Sequence, residues 1–487
     1  MTTAASVSQT AAQRAVATLH ALGVRLAFGL PGVHNLPLWS ALRDGEIRLV
    51  GVRHEQTAVY AADGHARTTG ELGVAITTTG PGAANALGAT GEAWASGSPV
   101  LVIATDIATT LRRPGVYRGV LHETRDQAAM FAPVVKRTWR VTAAEHLSAT
   151  LVEAAAVALT PPSGPVYVEI PTDLLAAPLP APARPVAVQP PRRAAAAEAD
   201  VERAARLLAD ARRPLLWVGG GAARADARDA VERVAERLGA PVIETYMARG
   251  LVSGDHPSRV GLPPHLPAVG ALWDAADVVL AVGTDFDGMM TQNWAMPAPP
   301  ALVAVNVSAS EAAKAYEPTV ALVGDARVVL EQLAAALGDG EPARPGRDPR
   351  ALAATLASVR EQAWREVRED EPAAVALLED LEAAVDADTP IAADMCIPGY
   401  WIAALRRFAQ PRRLAYPVGW GTLGFGFPAS IGMALGRAEP VLCVSGDGGF
   451  MFACGELAVV AEQRPPLTVL IVDDGGYGML RFDQRAA

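Results

Sequence analysis

Cysteine is scarce in this chain. Cys396, Cys443 and Cys454 are the only three, too few and too scattered for a disulfide framework or a metal finger. They read as small buried apolar residues of a cytosolic protein, without a catalytic role. Long hydrophobic runs are missing too: none reaches the length of a membrane span, and no secretory signal precedes the first helix. A membrane role is therefore not expected, and a cytoplasmic location is. Charge is modest, at 19% of residues with a net −10 at pH 7. With no Lys/Arg cluster, that balance excludes a nucleic-acid surface. What is plentiful is small and apolar: 51% of the chain is hydrophobic and glycine occurs 44 times. At 487 residues the chain is too long for one core, and two to four domains are expected.

One stretch organises the rest. Val441 to Ser445 is a short apolar run, followed by the turn Gly446-Asp447-Gly448-Gly449. Phe452 to Gln463 has a helical pattern, with Leu457, Val460 and Ala461 on one side, and Pro465-Pro466 ends it. Leu467 to Val472 is a second apolar run, ending in Asp473-Asp474-Gly475-Gly476. Strand, helix and strand in this order form a right-handed βαβ unit with parallel strands. Asp447 and Asp474 then lie at carboxyl ends of parallel strands, where open α/β sheets bind ligands. Glycines around Asp447 let backbone N–H groups approach a phosphate. Two carboxylates beside a phosphate need a cation between them, and Mg²⁺ takes oxygen ligands of this kind. An acid in such a turn can also merely cap a helix; the second acid pair on the next strand end argues for a metal–diphosphate site.

Gly446-Asp447-Gly448 followed by Asp473-Asp474-Gly475-Gly476-Tyr477 resembles the cofactor motif of the thiamine diphosphate-dependent superfamily of acetolactate synthases and pyruvate decarboxylases. That motif is GDG, a helix, then usually Asn-Asn. The resemblance implies Asp447 and Asp474 as side-chain Mg²⁺ ligands and Gly476 as a carbonyl ligand. Gly446, Gly448, Gly449 and Tyr477 join them in the cofactor site. Asp-Asp here replaces Asn-Asn, which should tighten the metal while leaving less positive charge for the diphosphate. Asp473 is read as a packing or capping residue.

Nearer the start, strands at Val24 to Phe28, Leu49 to Val52, Gly73 to Thr77, Val100 to Ala104 and Pro165 to Ile170 alternate with helical patterns at residues 9–22, Ala58 to Ala66 and from Ala83. This is the pattern of a doubly wound parallel sheet. Alone, Glu55 is an ordinary first-turn acid of a helix. His54-Glu55 through Ala61-Ala62-Asp63-Gly64-His65-Ala66-Arg67, however, resembles the family's "HE…ADGYAR" segment. Glu55 is thereby implied as the glutamate that hydrogen-bonds the aminopyrimidine ring and lets its amino group act as a base. A carboxyl buried against an apolar ring can trade a proton near neutral pH. Thr78 to Gly82 resembles "TSGPG", which with Pro31 implies Pro31, Thr79 and Gly80 on the pyrimidine side. Leu121-His122-Glu123 stands where decarboxylases carry His-His and synthases Phe-Gln-Glu. His122 is a surface-loop histidine or, as the resemblance implies, a group that handles the 2-oxo acid carboxylate or a proton.

Ala177 to Pro191 and Glu341 to Asp348 read as linkers. Between them, strands at Pro214 to Val218, Pro241 to Ile243, Val278 to Val282 and Leu302 to Asn306 form a second α/β layer domain. In acetolactate synthases the central domain holds FAD. Gly219-Gly220-Gly221 lacks dinucleotide spacing, Gly283 to Gly288 only partly resembles "GARFDDR", and Gly261 to His265 replaces "GMHG", all of which weighs against FAD. A helical region from Pro349 to Ala384 and a strand from Pro390 to Ala393 lead to Gly419 to Pro428, which resembles "GLGTMGFGLP". The resemblance puts Gly421, Thr422 and Leu423 at the cofactor, Gly421 through its carbonyl and Leu423 under the bent cofactor.

The fold expected is α/β: three doubly wound parallel-sheet domains, a pyrimidine-binding one at 1–180, a central one at 192–340 and a diphosphate-binding one at 349–487. Family members continue beyond the equivalent of Ala487, so the last domain is expected to be short, with apolar surface uncovered. The resemblance implies a thiamine diphosphate- and Mg²⁺-dependent carboligase of the acetolactate synthase kind acting on 2-oxo acids. The alternatives are a simple 2-oxo acid decarboxylase and a cofactor-binding but inactive homologue. It also implies a homodimer or dimer of dimers with sites between subunits.

Overall fold

The structure, a computed structural model, describes residues 9–180, 193–338 and 348–486. Of the expected linkers Ala177 to Pro191 and Glu341 to Asp348, residues 181–191 and 341–347 lie outside the described residues; Pro178–Leu179 is a short strand and Asp348 caps the next helix. Two compact units emerge among the described residues: 9–180, 391–396 and 417–486 form one, and 193–338, 348–390 and 397–416 the other.

The first unit holds two parallel sheets. In the larger, strands β1 (Leu26–Gly29), β2 (Arg48–Gly51), β3 (Gly73–Thr77), β4 (Val100–Asp106), β5 (Thr138–Arg140) and β6 (Val166–Pro171) lie in the order β2-β1-β3-β4-β6-β5. Central strands β3, β4 and β6 are buried along their length, which is why they read as continuous apolar runs. β5, with the sequence TWR, is too short and too polar to show in the sequence pattern.

The second unit carries a five-stranded parallel sheet. Its strands β7 (Pro214–Val218), β8 (Val242–Glu244), β9 (Val278–Val282), β10 (Leu302–Asn306) and β11 (Val320–Val323) run in the order β8-β7-β9-β10-β11. Trp217, Trp273, Phe286 and Tyr316 pack edge to face on one side of it. The expected helical region 349–384 is two helices in this same unit, Pro349–Asp370 and Pro372–Ala384, divided at Pro372, which cannot continue the helix before it.

Back in the first unit, β12 (Ile391–Ala393), β13 (Val441–Gly446) and β14 (Leu467–Val472) pair in parallel in that order. The two sheets of this unit are joined by one helix pair. Helix α1 (Glu55–Thr69) is buried on almost all sides and lies against helix α2 (Gly426–Arg437). The helices meet backbone to backbone. A Cβ on Gly432 would lie 1.8 Å from the Ala61 carbonyl oxygen, and one on Gly64 would lie 2.2 Å from that of Ala429. Arg67, inside this contact, pairs with Asp63 (2.6 Å) and Glu92 (3.1 Å) and stacks on Phe425 at 4.6 Å. A buried guanidinium is tolerable only when paired in this way.

One expectation is corrected. The helix read from Phe452 to Gln463 is broken: Asp447–Met451, a 3-10 turn at Cys454–Glu456, then Leu457–Gln463. Within Leu457–Gln463 the buried apolar residue is Val459, while Leu457 and Ala461 face solvent. The segment is apolar on most of its faces, so its phase could not be read from hydrophobicity.

The helix contact is testable by contrast. Gly432→Ala should destabilise the protein by about 1–3 kcal/mol through overpacking. Gly88→Ala, in a helix with nothing within 4 Å of the new methyl, should be neutral or stabilise by up to about 1 kcal/mol. Denaturant midpoints of the two variants check both signs.

Candidate functional site

The loops after β1 and β4 converge on the turn Thr78–Gly82, which itself follows β3. The first is Pro31–Asn35. Asn35 donates to the Leu30 carbonyl (3.0 Å) and accepts from the Gly32 N–H (2.8 Å), which holds Pro31 and Gly32 in a fixed bend. Gly32 sits so close to Thr78 that a Cβ would fall 2.6 Å from its hydroxyl oxygen. Gly80 has φ +65°, and a Cβ there would lie 2.6 Å from the His122 carbonyl oxygen, so both conformation and space require glycine. His122 itself has φ 69°, uncommon for a side-chain-bearing residue. Its Nδ1 lies 3.4 Å from the Thr79 carbonyl oxygen.

Glu55 is buried at 7% exposure. Its Oε2 accepts from the Asn85 amide at 3.0 Å, while Oε1 would lie 3.2 Å from a Cβ on Gly82. The same Cβ would fall 2.5 Å from the Thr78 methyl carbon, so Gly82 is packed between Thr78 and the Glu55 carboxyl and leaves no room for a side chain. Hydrogen bonds and close contacts group Glu55, Thr79, Gly80 and His122 around this turn.

Two residues the sequence reading missed belong here. Gln127 is fully buried: its Oε1 accepts from the Gly80 N–H (2.6 Å), and its Nε2 donates to the Thr105 carbonyl (2.9 Å) and the Tyr167 hydroxyl (2.7 Å). It fixes the turn on which the other residues depend. His34 meets His122 edge to face, with ring centroids 5.4 Å apart. Burial, then the neighbouring His122, lowers the His34 pKa, and Asp106 opposes them. Only the fold brings His34 and His122 together; no spacing in the sequence signals it.

A second group lies at the ends of β12, β13 and β14. β13 and β14 stay paired to Gly446 opposite Val472, so Asp447 and Asp473-Asp474 leave neighbouring strand ends. The Asp473 side chain accepts from the Gly475 N–H (2.9 Å) and the Asp474 side chain from the Gly476 N–H (3.1 Å). Gly475 and Gly476 take φ 72° and 152°, which side chains resist. The Tyr477 ring covers the GDG turn so closely that a Cβ on Gly448 would lie 2.6 Å from it. Asp474 also pairs with Arg481 at 3.0 Å, both half exposed. Such a pair is worth about 1 kcal/mol or less.

The Gly421–Gly426 segment is tied down from beneath. Asp394, fully buried, accepts from the Gly424 and Gly426 N–H groups, each at 3.1 Å. Burial pushes its carboxyl pKa up, against the pull of those backbone donors. Gly449 leaves no more than 3.1 Å between a Cβ and the Asp394 carboxyl carbon. The Thr422 hydroxyl donates to Glu92 at 2.7 Å, and Gly421 has φ 66°. Leu423 is partly buried. Among the described residues, no hydrogen bond or ion pair joins Glu55 or His122 to Asp447 or Asp474.

Comparison with known proteins shows the family. Residues 9–130 match the N-terminal cofactor-binding domain of thiamine pyrophosphate enzymes, 201–333 their central domain, and 395–487 their C-terminal cofactor-binding domain. The chain is 36% identical over 476 residues to a probable 2-ketoarginine decarboxylase of Pseudomonas aeruginosa, covering 97% of this chain and 84% of that protein. The chain belongs to the thiamine pyrophosphate enzymes. An acetolactate synthase large subunit of Corynebacterium glutamicum is 31% identical over 490 residues, covering 98% of this chain and 77% of that protein. A probable acetolactate synthase large subunit of Methanocaldococcus jannaschii is 29% identical over 489 residues, covering 96% and 81%. This thiamine pyrophosphate enzyme is accordingly of the lyase or transferase kind, with the three α/β domains and parallel sheets of its family. No helix among the described residues is long and apolar enough to cross a membrane.

The residues present fit the cofactor of this family. The buried Glu55 carboxyl, held at Oε2 by Asn85, can share a proton with a ring nitrogen, and Asp447, Asp474 and the Gly476 carbonyl are hard oxygen donors that suit Mg²⁺. Among the described residues no cluster of three or more His, Cys, Asp or Glu side chains could hold a metal. A Mg²⁺ here would complete its shell with phosphate and water. In the central unit the glycines serve packing instead. A Cβ on Gly219 would lie 2.4 Å from the Gly283 carbonyl oxygen, and one on Gly221 would lie 2.8 Å from the Gly283 Cα.

The role of Gln127 gives a prediction. Gln127→Ala leaves the Gly80 N–H, the Thr105 carbonyl and the Tyr167 hydroxyl without their partner. It should lower stability by about 2–4 kcal/mol, measured by chemical denaturation.

Proposed function

We propose that this enzyme decarboxylates a 2-oxo acid with thiamine diphosphate and Mg²⁺, replacing the lost carboxylate with a proton to release an aldehyde. The observation that carries this reading is the pair of imidazoles, His122 and His34, at the Thr79–Gly80 turn. Histidine carries and gives up protons near neutral pH, and a site ending in protonation needs such groups. The 36% identity to a protein named as a 2-ketoarginine decarboxylase supports the same direction. Carboligation, favoured by sequence motifs alone, is the second reading, supported by the relatives named as acetolactate synthases.

In this reading Asp447, Asp474 and the Gly476 carbonyl hold Mg²⁺. The Gly446–Gly449 turn, covered by Tyr477, takes the diphosphate. Pro31, Thr79 and Gly80 would flank the pyrimidine, the Glu55 carboxyl would donate to its ring nitrogen, and Gly421, Thr422 and Leu423 would line the rest of the cofactor. When bound, the cofactor would supply the carbanion chemistry that 2-oxo acid decarboxylation needs. Glu55, buried and anchored by Asn85, holds or yields a proton at Oε1. His122 orients the substrate carboxylate or delivers the proton that replaces it. The packed Gly219–Gly221 turn is one reason the reading includes no FAD. The minimal working unit is a homodimer, with a dimer of dimers as the larger form. Exposed Met451, Phe452, Leu457 and Tyr477 near the Asp447 turn support a covering second copy.

Incubation of the protein with a panel of 2-oxo acids, with and without thiamine diphosphate and Mg²⁺, tests the proposal by product identification. The expected outcome is an aldehyde from at least one acid, dependent on both additives. A 2-hydroxy-2-alkyl-3-oxo acid as sole product would transfer the assignment to carboligation, and no consumption of any acid would refute both. Asp447→Asn and Asp474→Ala should each remove the Mg²⁺-dependent rise in melting temperature on adding the cofactor, and Asp473→Ala should retain it.

A further inference from the structure

Glu456 is a buried carboxylate, 1% exposed, that the proposed chemistry does not use. It sits in the 3-10 turn Cys454–Glu456, which follows the short helix opened by Asp447. Its Oε1 accepts from the backbone N–H groups of Arg53 (3.1 Å) and His54 (3.0 Å), and its Oε2 lies 3.0 Å from the same Arg53 nitrogen. These two donors are the last before Glu55, the first residue of α1. Two neighbouring links run the same way: the Gln56 side chain donates to the Phe452 carbonyl at 3.3 Å, and the Arg53 guanidinium pairs with Glu462. The segment 53–56 is thus held by the chain that follows the GDG turn.

We infer that Glu456 is a positioning residue: its carboxylate fixes the entry of α1 and thereby the place of the Glu55 carboxyl, coupling the Asp447 turn to the pyrimidine side. The inference rests on the reading of Glu55 as the cofactor's hydrogen-bonding partner. The physical case is one of charge and exclusion. A carboxylate accepting from backbone N–H groups makes strong, charge-assisted bonds. Without it, two N–H groups at the start of a buried helix would lose their partner. A carboxylate does this better than an amide, because the NH₂ of glutamine would face the Arg53 donor. Glu462, at the exposed rim, anchors only the Arg53 side chain and serves as the control.

The test compares Glu456→Gln with Glu462→Gln. Amide hydrogen exchange by mass spectrometry on the protein without cofactor reads the positioning itself. The expected result in Glu456→Gln is exchange about tenfold faster in residues 53–57, with the β1, β3 and β4 peptides unchanged and Glu462→Gln like the parent. With an active 2-oxo acid in hand, kcat should fall while KM and the cofactor-induced rise in melting temperature are kept. Unchanged exchange at 53–57 would overturn the inference, as would faster exchange spread evenly over the protein. If Glu456→Gln does not fold, Glu456→Asp keeps the charge, withdraws it from Arg53 and His54, and is read by the same two outcomes. Because exchange needs no substrate, failure of the proposed reaction and failure of this inference remain distinct.

Discussion

The backbone contact between Glu55–Thr69 and Gly426–Arg437 is the constraint on which the first unit depends. Two helices approach this closely only where neither carries a side chain, and Gly64 and Gly432 supply those positions. The contact leaves α1 almost without a solvent face, so the polar groups on it must be paired internally. Arg67 meets Asp63 and Glu92, and Glu92 in turn accepts from Thr422. A motif read first as family resemblance therefore has a mechanical meaning. Asp63, Gly64 and Arg67 weld the helix that carries Glu55 to the segment that carries Gly421–Leu423.

The same economy appears at the two ends of the site. Three segments of the site are each held by one buried polar side chain from elsewhere in the chain: Gln127 under Gly80, Asp394 under Gly424 and Gly426, Glu456 before Glu55. None of the three needs to touch a substrate. Buried side chains of this kind are costly unless satisfied, and here their satisfaction is what fixes the loops. A loop so anchored loses little freedom when it acts, which is the value of a rigid scaffold for catalysis.

How much of this was legible in the sequence follows from the range of the forces involved. The βαβ unit from Val441 to Val472 was, because apolar runs, a glycine turn and two acids are local signals. Glu55 was legible through its neighbours in a motif, and the buried parallel strands through their continuous hydrophobicity. His34 was not: it lies in the loop after Pro31, and its relation to His122 exists only once β1 and β4 flank β3 in one sheet. Gln127 and Glu456 were hidden for the same reason, since their partners are 47 and 402 to 403 residues away in sequence. The phase of Leu457–Gln463 failed differently, because a helix apolar on most faces does not say which face is buried.

The central claim is that the Glu55 carboxyl, delivered by α1, does the proton work at the cofactor rather than merely helping to bind it. Glu55→Gln tests this most directly, with cofactor affinity and 2-oxo acid turnover measured on the same sample. The account expects thiamine diphosphate and Mg²⁺ still to raise the melting temperature, and turnover to drop by about 10²-fold or more. Turnover close to that of the parent protein, with the cofactor bound, would contradict it.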